Sequence, residues 1–229
     1  MRNAIDLGSG FIATTDNSGG IGEKTDDIVH VTDEITAQFA TRVALLEQWA
    51  AGAEPISILI HNFSGKGSWP KYVGGVTKVF EEAGLGVPSI SGSTETNMSL
   101  LQSALAVTII GRQSALQAPE NSELHWFTYG VPLVGEEVLT RSRDIASLRK
   151  IKAALDVGII QKMWPIGSGG IKWEAQKMLG ESQLTIESPL NVTTSGGPAT
   201  VVLLGMASPD IKTAKELFNT NFHEIKMYD

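Results

Sequence analysis

The sequence predicts an α+β (mixed α/β) protein in two parts, a sheet-and-helix domain over residues 1–134 and a second lobe over residues 135–229. Three observations carry that reading. The run from Pro55 to Phe63 is dense in Ile and Leu and reads as a strand. The stretch from Glu34 to Ala51 places Ile35, Phe39, Val43, Leu46 and Ala50 near helical spacing. Strand and helix signals alternate along the chain and strands then adjoin, the order expected of such folds. The composition allows it: 42% of the 229 residues are hydrophobic and 19% are charged, which suits a buried core and not a disordered chain.

Taken in order, residues 1–10 hold Gly8 and Gly10 without periodicity and are expected to be a mobile arm. Phe11–Thr15 and Ile28–Val31 read as strands flanking a polar, glycine-rich stretch. Thr32-Asp33 offers an N-cap for the helix that follows, and Gly52 ends it. After the strand at Pro55, Gly65-Lys66-Gly67 makes a turn and Trp69–Glu82 a helix. Val87–Ser91 is a strand that empties into the loop from Gly92 to Asn97. Ala104–Ile110 and His125–Val131 are further strands, joined by a polar loop with Pro119, Glu120 and Asn121. In the second part, Glu136–Thr140 and Ser147–Leu155 read as helices and Ile159–Trp164 as a strand. Pro165–Gly170 leads into an amphipathic helix, Ile171–Leu179. Leu184–Glu187 and Ala199–Met206 are strands on either side of a turn at Thr194–Pro198, and Asp210–Asn219 is a helix.

Composition also excludes classes of function. The net charge is −7, the isoelectric point is about 5.1, and no run of Lys or Arg forms a footprint for nucleic acid. With no cysteine there is no disulfide, thiol catalysis or Cys-based zinc site. No apolar run reaches the roughly 18–20 residues of a membrane span. The N-terminus lacks the pattern of a secretory signal, so a cytoplasmic setting is expected. Trp49, Trp69, Trp126, Trp164 and Trp173 read as core or interface residues.

The chemistry concentrates between Thr14 and Asp27. Fourteen residues there hold Asp16, Glu23, Asp26, Asp27, Lys24 and the glycines 19, 20 and 22. Glycines admit close approach of a ligand to the backbone, and carboxylates beside them suit Mg²⁺ bound together with phosphates. An ordinary surface turn has the same composition, so spacing alone leaves both readings open. His61 and Asn62 end one strand and the Gly92–Asn97 loop ends another, the places where α/β proteins set ligand contacts.

Four segments in order resemble the aminoimidazole-ribonucleotide synthetase-like (PurM-like) superfamily. Thr15 to Lys24 looks like its Thr-Asp-Gly-Val-Gly-Thr-Lys loop. Glu47 stands five positions before Gly52-Ala53-Glu54-Pro55, where the family has an acid before Gly-Ala-x-Pro. Gly92 to Met98 is similar to its Gly-Gly-Glu-Thr-Ala-Glu-Met loop. Ile166 to Ile171 resembles the Asp-Gly-Gly-Leu stretch that opens a second-domain helix. Within the superfamily, the Asp-Asn-Ser-Gly-x-Ile-Gly, His-Asn-Phe and Gly-Ser-Thr-Glu-x-Asn segments look most like the α-ribazole kinases of cobalamin lower-ligand salvage.

The resemblance implies binding of ATP and Mg²⁺, a homodimer that joins sheets into a barrel, and transfer of a phosphoryl group to a small, nucleoside-like substrate. It places Asp16, Glu47 and Asp27 as metal ligands. Asn17, Ser18, Gly19, Gly20, Gly22 and Lys24, with Gly167, Gly169 and Gly170, would hold the nucleotide. Glu95, His61 and Lys24 would be catalytic, Glu95 or His61 taking the acceptor's proton. Asn62, Thr94, Thr96 and Asn97 would contact substrate. Two departures matter: the second domain is shorter than the family norm, and Pro165 and Ser168 stand where kinase-like relatives carry aspartates. A ligase-type relative that activates an amide or formyl oxygen, or a protein that binds nucleotide or cobamide precursor without turnover, also satisfies these motifs.

Overall fold

In a computed structural model, which describes residues 3–113 and 124–228, the chain divides into two units, Met1–Ala115 and Leu116–Asp229. The loop expected around Pro119, Glu120 and Asn121 lies outside the described residues. The first unit runs β1 (Ala4–Gly8), β2 (Phe11–Gly19), β3 (Ile21–Gly22), β4 (Val29–His30), α1 (Asp33–Ala50), β5 (Ala53–Asn62), α2 (Trp69–Ala83), β6 (Ser89–Thr94) and β7 (Ala104–Gln113). Its main sheet has five strands in the order β1-β2-β7-β5-β6. All neighbours are antiparallel except β5 and β6, whose parallel pairing requires the crossover supplied by α2.

Two expectations change here. Residues 4–8 are not a mobile arm: β1 pairs with β2 as the edge of the sheet, with a bulge between Asp6 and Gly8. The strand that begins at Phe11 continues to Gly19, so Asp16, Asn17, Ser18 and Gly19 stand on β2 rather than in a loop. Backbone pairing with β7 continues through all four, because Asn, Ser and Gly satisfy a ladder with their main chain as well as any residue.

Helix α1 starts as expected, with the Thr32 hydroxyl accepting the Ile35 amide at 3.3 Å and two acids in the first turn. Its burial is not a stripe. Every residue from Thr41 to Trp49 is buried, because β2, β5 and β7 cover one side and α2 another. Ile35 and Phe39 are only half-buried, while the small residues Thr36, Ala37, Ala40 and Ala44 are buried. Close approach explains the small side chains: a Cβ on Gly75 of α2 would stand 2.2 Å from the Glu34 carbonyl oxygen of α1. Gly92 on β6 is tighter still, since a Cβ there would meet the Ile60 carbonyl oxygen at 1.9 Å, with φ at +156°. Gly92→Ala is therefore expected to destabilise the protein by about 2–4 kcal/mol, seen as a lower urea midpoint at unchanged m-value.

The second unit runs β8 (His125–Gly130), α3 (Glu137–Thr140), α4 (Leu148–Asp156), β9 (Lys162–Pro165), α5 (Gly170–Leu179), β10 (Thr185–Glu187), β11 (Val201–Met206), α6 (Ile211–Phe218) and β12 (Phe222–Tyr228). Its sheet is antiparallel throughout, in the order β10-β12-β8-β11-β9. The boundary expected at 134/135 thus shifts, because β8 pairs with β11 and β12 and belongs to the second sheet. Every residue of β11, an interior strand between β8 and β9, is buried. Phe127 stacks on Phe222 at 4.7 Å and Phe218 on Phe222 at 4.9 Å, which ties α6 and β12 to β8. The result is a mixed α/β fold with two principal sheets. No described helix is long and apolar enough to cross a membrane.

Candidate active site

Strand alternation divides the expected site between the two faces of the first sheet. Residues directly opposed in a ladder share a face. One row is Asp16–Val107–Ile60–Gly92, and the next is Ser18–Leu105–Asn62–Thr94. Val107, Ile60, Leu105 and Asn62 are buried, which marks this as the helix-covered face. The row between them, Asn17–Ala106–His61–Ser93, points the opposite way, and His61 and Asn17 are exposed. His61 and Asp16 therefore do not meet across the first unit.

On the helix face, Asn62 ties the strand ends together. Its amide nitrogen donates to the Gly65 carbonyl at 2.8 Å and to Thr94 Oγ1 at 3.2 Å, and its oxygen accepts the Ser64 amide at 2.8 Å. Both residues thus have partners in their own chain. The ladder continues one step past Thr94, with the Glu95 amide donating to the Asn62 carbonyl at 2.8 Å. Glu95 then folds the loop around its own carboxylate, which accepts the amides of Asn97 at 2.6 Å and Met98 at 3.1 Å. Those amides, helped by Thr96 and opposed by desolvation, hold its carboxyl below the ordinary glutamate range. Through those two amides the Glu95 carboxylate anchors the turn that follows β6. The Thr96 and Asn97 side chains are exposed on that turn.

The opening stretch is stitched to the segment before β7. Lys24 Nζ donates to the carbonyls of Leu100 at 2.7 Å and Gln102 at 3.3 Å, so its ammonium serves as a clamp rather than as an unoccupied phosphate ligand. Gln102 returns the contact through its amide to the Asp26 carbonyl at 2.7 Å. The Gly20 amide donates to the Ser103 carbonyl at 2.8 Å. Gly22 has φ +157°, and a Cβ there would lie 2.5 Å from Ser103 Oγ. Its glycine is thus accounted for by packing within the chain.

Asp27 is the hub of this seam. It is 5% exposed, and its carboxylate accepts the Ser103 amide at 2.7 Å, the Ser103 hydroxyl at 2.7 Å and the Lys24 amide at 2.8 Å. Burial alone would raise its pKa. The Ser103 and Lys24 hydrogen bonds, with His30 nearby, outweigh burial and hold it below the ordinary aspartate value. Three donors use most of the lone pairs of a carboxylate, so Asp27 is built as a structural clamp, not an open metal ligand.

Several residues here carried no sequence signal for a site. Ser103 sits in no motif, and Asp33 is visible in sequence only as part of an N-cap. Tyr72 is fully buried with its hydroxyl 2.6 Å from Ser64 Oγ. Burial, assisted by the charges of Asp33, Asp27 and Glu23, pushes its pKa up to about 12 despite the Ser64 bond. Glu23 pairs with Lys71, and that bond, followed by the Asp33 amide, lowers its pKa.

The remaining acids are Asp16 and Glu47. Glu47 is 2% exposed in α1. Its neighbours in the helix, the Ala44 carbonyl and Gln48 Oε1, both lie 2.8 Å from Thr14 Oγ1, two residues before Asp16 on the same face of β2. Among the described residues no three or more His, Asp or Glu side chains are arranged to hold a metal ion, so Asp16, Glu47 and Asp27 do not form the expected set. An all-protein cage for Mg²⁺ does not fit this donor set. A Mg²⁺ that arrives with phosphates and needs one or two carboxylates does.

In the second unit, the glycines before α5 are engaged by their own chain. The Gly167 amide donates to Glu174 Oε1 at 3.1 Å, and Trp164 Nε1 donates to Glu174 Oε2 at 2.9 Å. Gly170 donates to the Gly167 carbonyl and Lys172 to the Val192 carbonyl. A Cβ on Gly169 would strike the Trp173 ring at 2.4 Å, and one on Gly170 would meet the Thr193 backbone at 2.8 Å. Replacing Glu174, 1% exposed, by alanine is expected to cost about 2–3 kcal/mol by stranding two donors, measurable as a lower melting temperature with Trp164 fluorescence perturbed.

No protein-family model matches the sequence, and no curated protein matches it either. Solved structures do match. Hydrogenase maturation protein HypE in complex with ATP superposes with a TM-score of 0.64 at 14% identity, over 96% of this chain and 77% of that one. Thiamine monophosphate kinase from Aquifex aeolicus gives 0.64 at 14% identity, over 99% and 88%. PurL from T. maritima complexed with ATP gives 0.61 at 11% identity, over 99% of this chain and 42% of that one. These likenesses show a PurM-like fold across nearly the whole chain.

Proposed function

We propose that the protein transfers a phosphoryl group from Mg²⁺-bound ATP to a small hydroxyl-bearing acceptor, with the nucleoside α-ribazole as the first candidate. The supporting observation is a fold shared over almost the whole chain with a kinase and with two proteins solved with ATP. Asp16 on β2 and the buried Glu47 on α1 belong to elements packed on one another. In this reading Asp16 and Glu47 hold Mg²⁺ on the phosphates, where charge neutralisation supplies most of the catalysis. The seam of Lys24, Asp27 and Ser103 keeps the opening stretch in place. A homodimer accompanies it, testable as twice the chain mass in light scattering.

Incubation with ATP, Mg²⁺ and a panel of nucleosides tests the proposal, with ADP and a phosphorylated product followed by mass spectrometry. Product from α-ribazole alone supports the narrow form, product from another acceptor only the broad form, and no ADP with any acceptor refutes both. A second reading, nucleotide binding without turnover, is favoured by the lack of a three-acid cluster among the described residues. Calorimetric binding of ATP with no ADP after long incubation selects it.

A further inference from the structure

Under the opening stretch lies a buried carboxylate oxygen that no protein donor satisfies. Asp33 is 3% exposed, and its Oδ1 has no hydrogen-bond partner. That oxygen and Ser103 Oγ close on the same spot of backbone, since a Cβ on Gly22 would stand 2.9 Å from the first and 2.5 Å from the second. Ser103 directs its proton to Asp27 Oδ2 at 2.7 Å, so the hydroxyl keeps lone pairs for an electrophile. A buried acceptor left unmatched is costly, and a buried charge more so.

The surroundings add negative charge. Asp33, Asp27 and Glu23 all act on the buried Tyr72. Of the positive groups that face them, Lys71 is paired with Glu23 at the exposed rim and reaches Asp33 only through space. His30 acts on Asp27. Asp33 is buried and both donors are oxygens, which select a hard ion. One unmatched carboxylate oxygen beside a neutral hydroxyl balances a single charge, and no three-acid group is present among the described residues for a divalent ion.

We propose that Asp33 Oδ1 and the Ser103 hydroxyl oxygen hold an alkali cation beneath the opening stretch. The ion fastens the first turn of α1 to the seam between residues 20–27 and β7. This inference stands independently of the proposed ATP chemistry.

Thermal unfolding of the full chain in choline, sodium, potassium and magnesium chlorides at equal ionic strength tests it. Sodium or potassium is expected to raise the melting temperature of the wild type over choline by on the order of 5 °C at a concentration a hundred times the Kd. Asp33→Asn should melt at the same temperature in choline and alkali salts. Line broadening of ²³Na by the wild-type protein, reversed by thallium(I), reads the site without any variant. Equal melting in all four salts with no ²³Na broadening, the behaviour of an oxygen satisfied by water or a proton, overturns the proposal. So does a salt response retained in Asp33→Asn, or a response to magnesium alone.

Discussion

Asp16→Ala is expected to lower the rate of phosphoryl transfer by about two orders of magnitude or more, equivalent to roughly 3 kcal/mol of transition-state stabilisation. Metal ions in such reactions neutralise charge that grows on the transferring group, and a lost carboxylate ligand is felt mainly in the transition state. The loss should therefore appear in kcat as well as in the apparent Mg²⁺ affinity, in assays of ADP formation at saturating ATP. Asp16 is only half-buried and its backbone pairs with Val107, so the ladder survives the substitution. An unchanged urea midpoint checks that. Turnover equal to wild type would remove Asp16 from the site and, with it, the reading of the β2 acid as a metal ligand.

Asp27→Asn is expected to destabilise the first unit by about 2–4 kcal/mol at neutral pH. The three groups facing the carboxylate all donate, so an amide presents one of them with another donor instead of an acceptor. The effect also has a pH signature. The folded-state pKa of Asp27 is depressed, so its stabilisation is fully present above the ordinary aspartate value near 3.8 and is lost as pH falls through the lower folded value. The wild type should lose stability as the medium is acidified below about pH 4, and Asp27→Asn should show a shallower slope there. Denaturant titrations at a series of pH values measure both, and parallel curves would mean that another group carries the acid dependence.

The fold was legible because its signals are local. Apolar runs at Pro55 and Ala199, the Thr32 cap and Gly52 all depend on neighbours in sequence, and each marks an element of the structure. Strand β8 was legible as a strand but not as a member of the second sheet, because pairing with β11 and β12 joins residues far apart in sequence. The candidate site was legible as composition, not as arrangement. Asp16 was read as a metal ligand and His61 as a candidate for the acceptor's proton, yet strand parity sends them to opposite faces of the sheet. Lys24 and Asp27 looked like ligands because charge beside glycine does. Their partners, the carbonyls of Leu100 and Gln102 and both donors of Ser103, lie more than seventy positions away with no motif to announce them.

The same parity makes length, not identity, the fragile property of β2. With the start of the strand held in register, one residue inserted between Ile12 and Thr14 would turn Asp16 outward, bring Asn17 in, and exchange every contact that Thr14 makes with α1. A residue added near Asp6 and Gly8 meets a hairpin that already carries an irregular step, and it can be absorbed there as a larger bulge. Insertions a few residues apart along one hairpin thus differ in kind: the outer one adjusts a margin, while the inner one reverses which chemistry each side of the sheet displays.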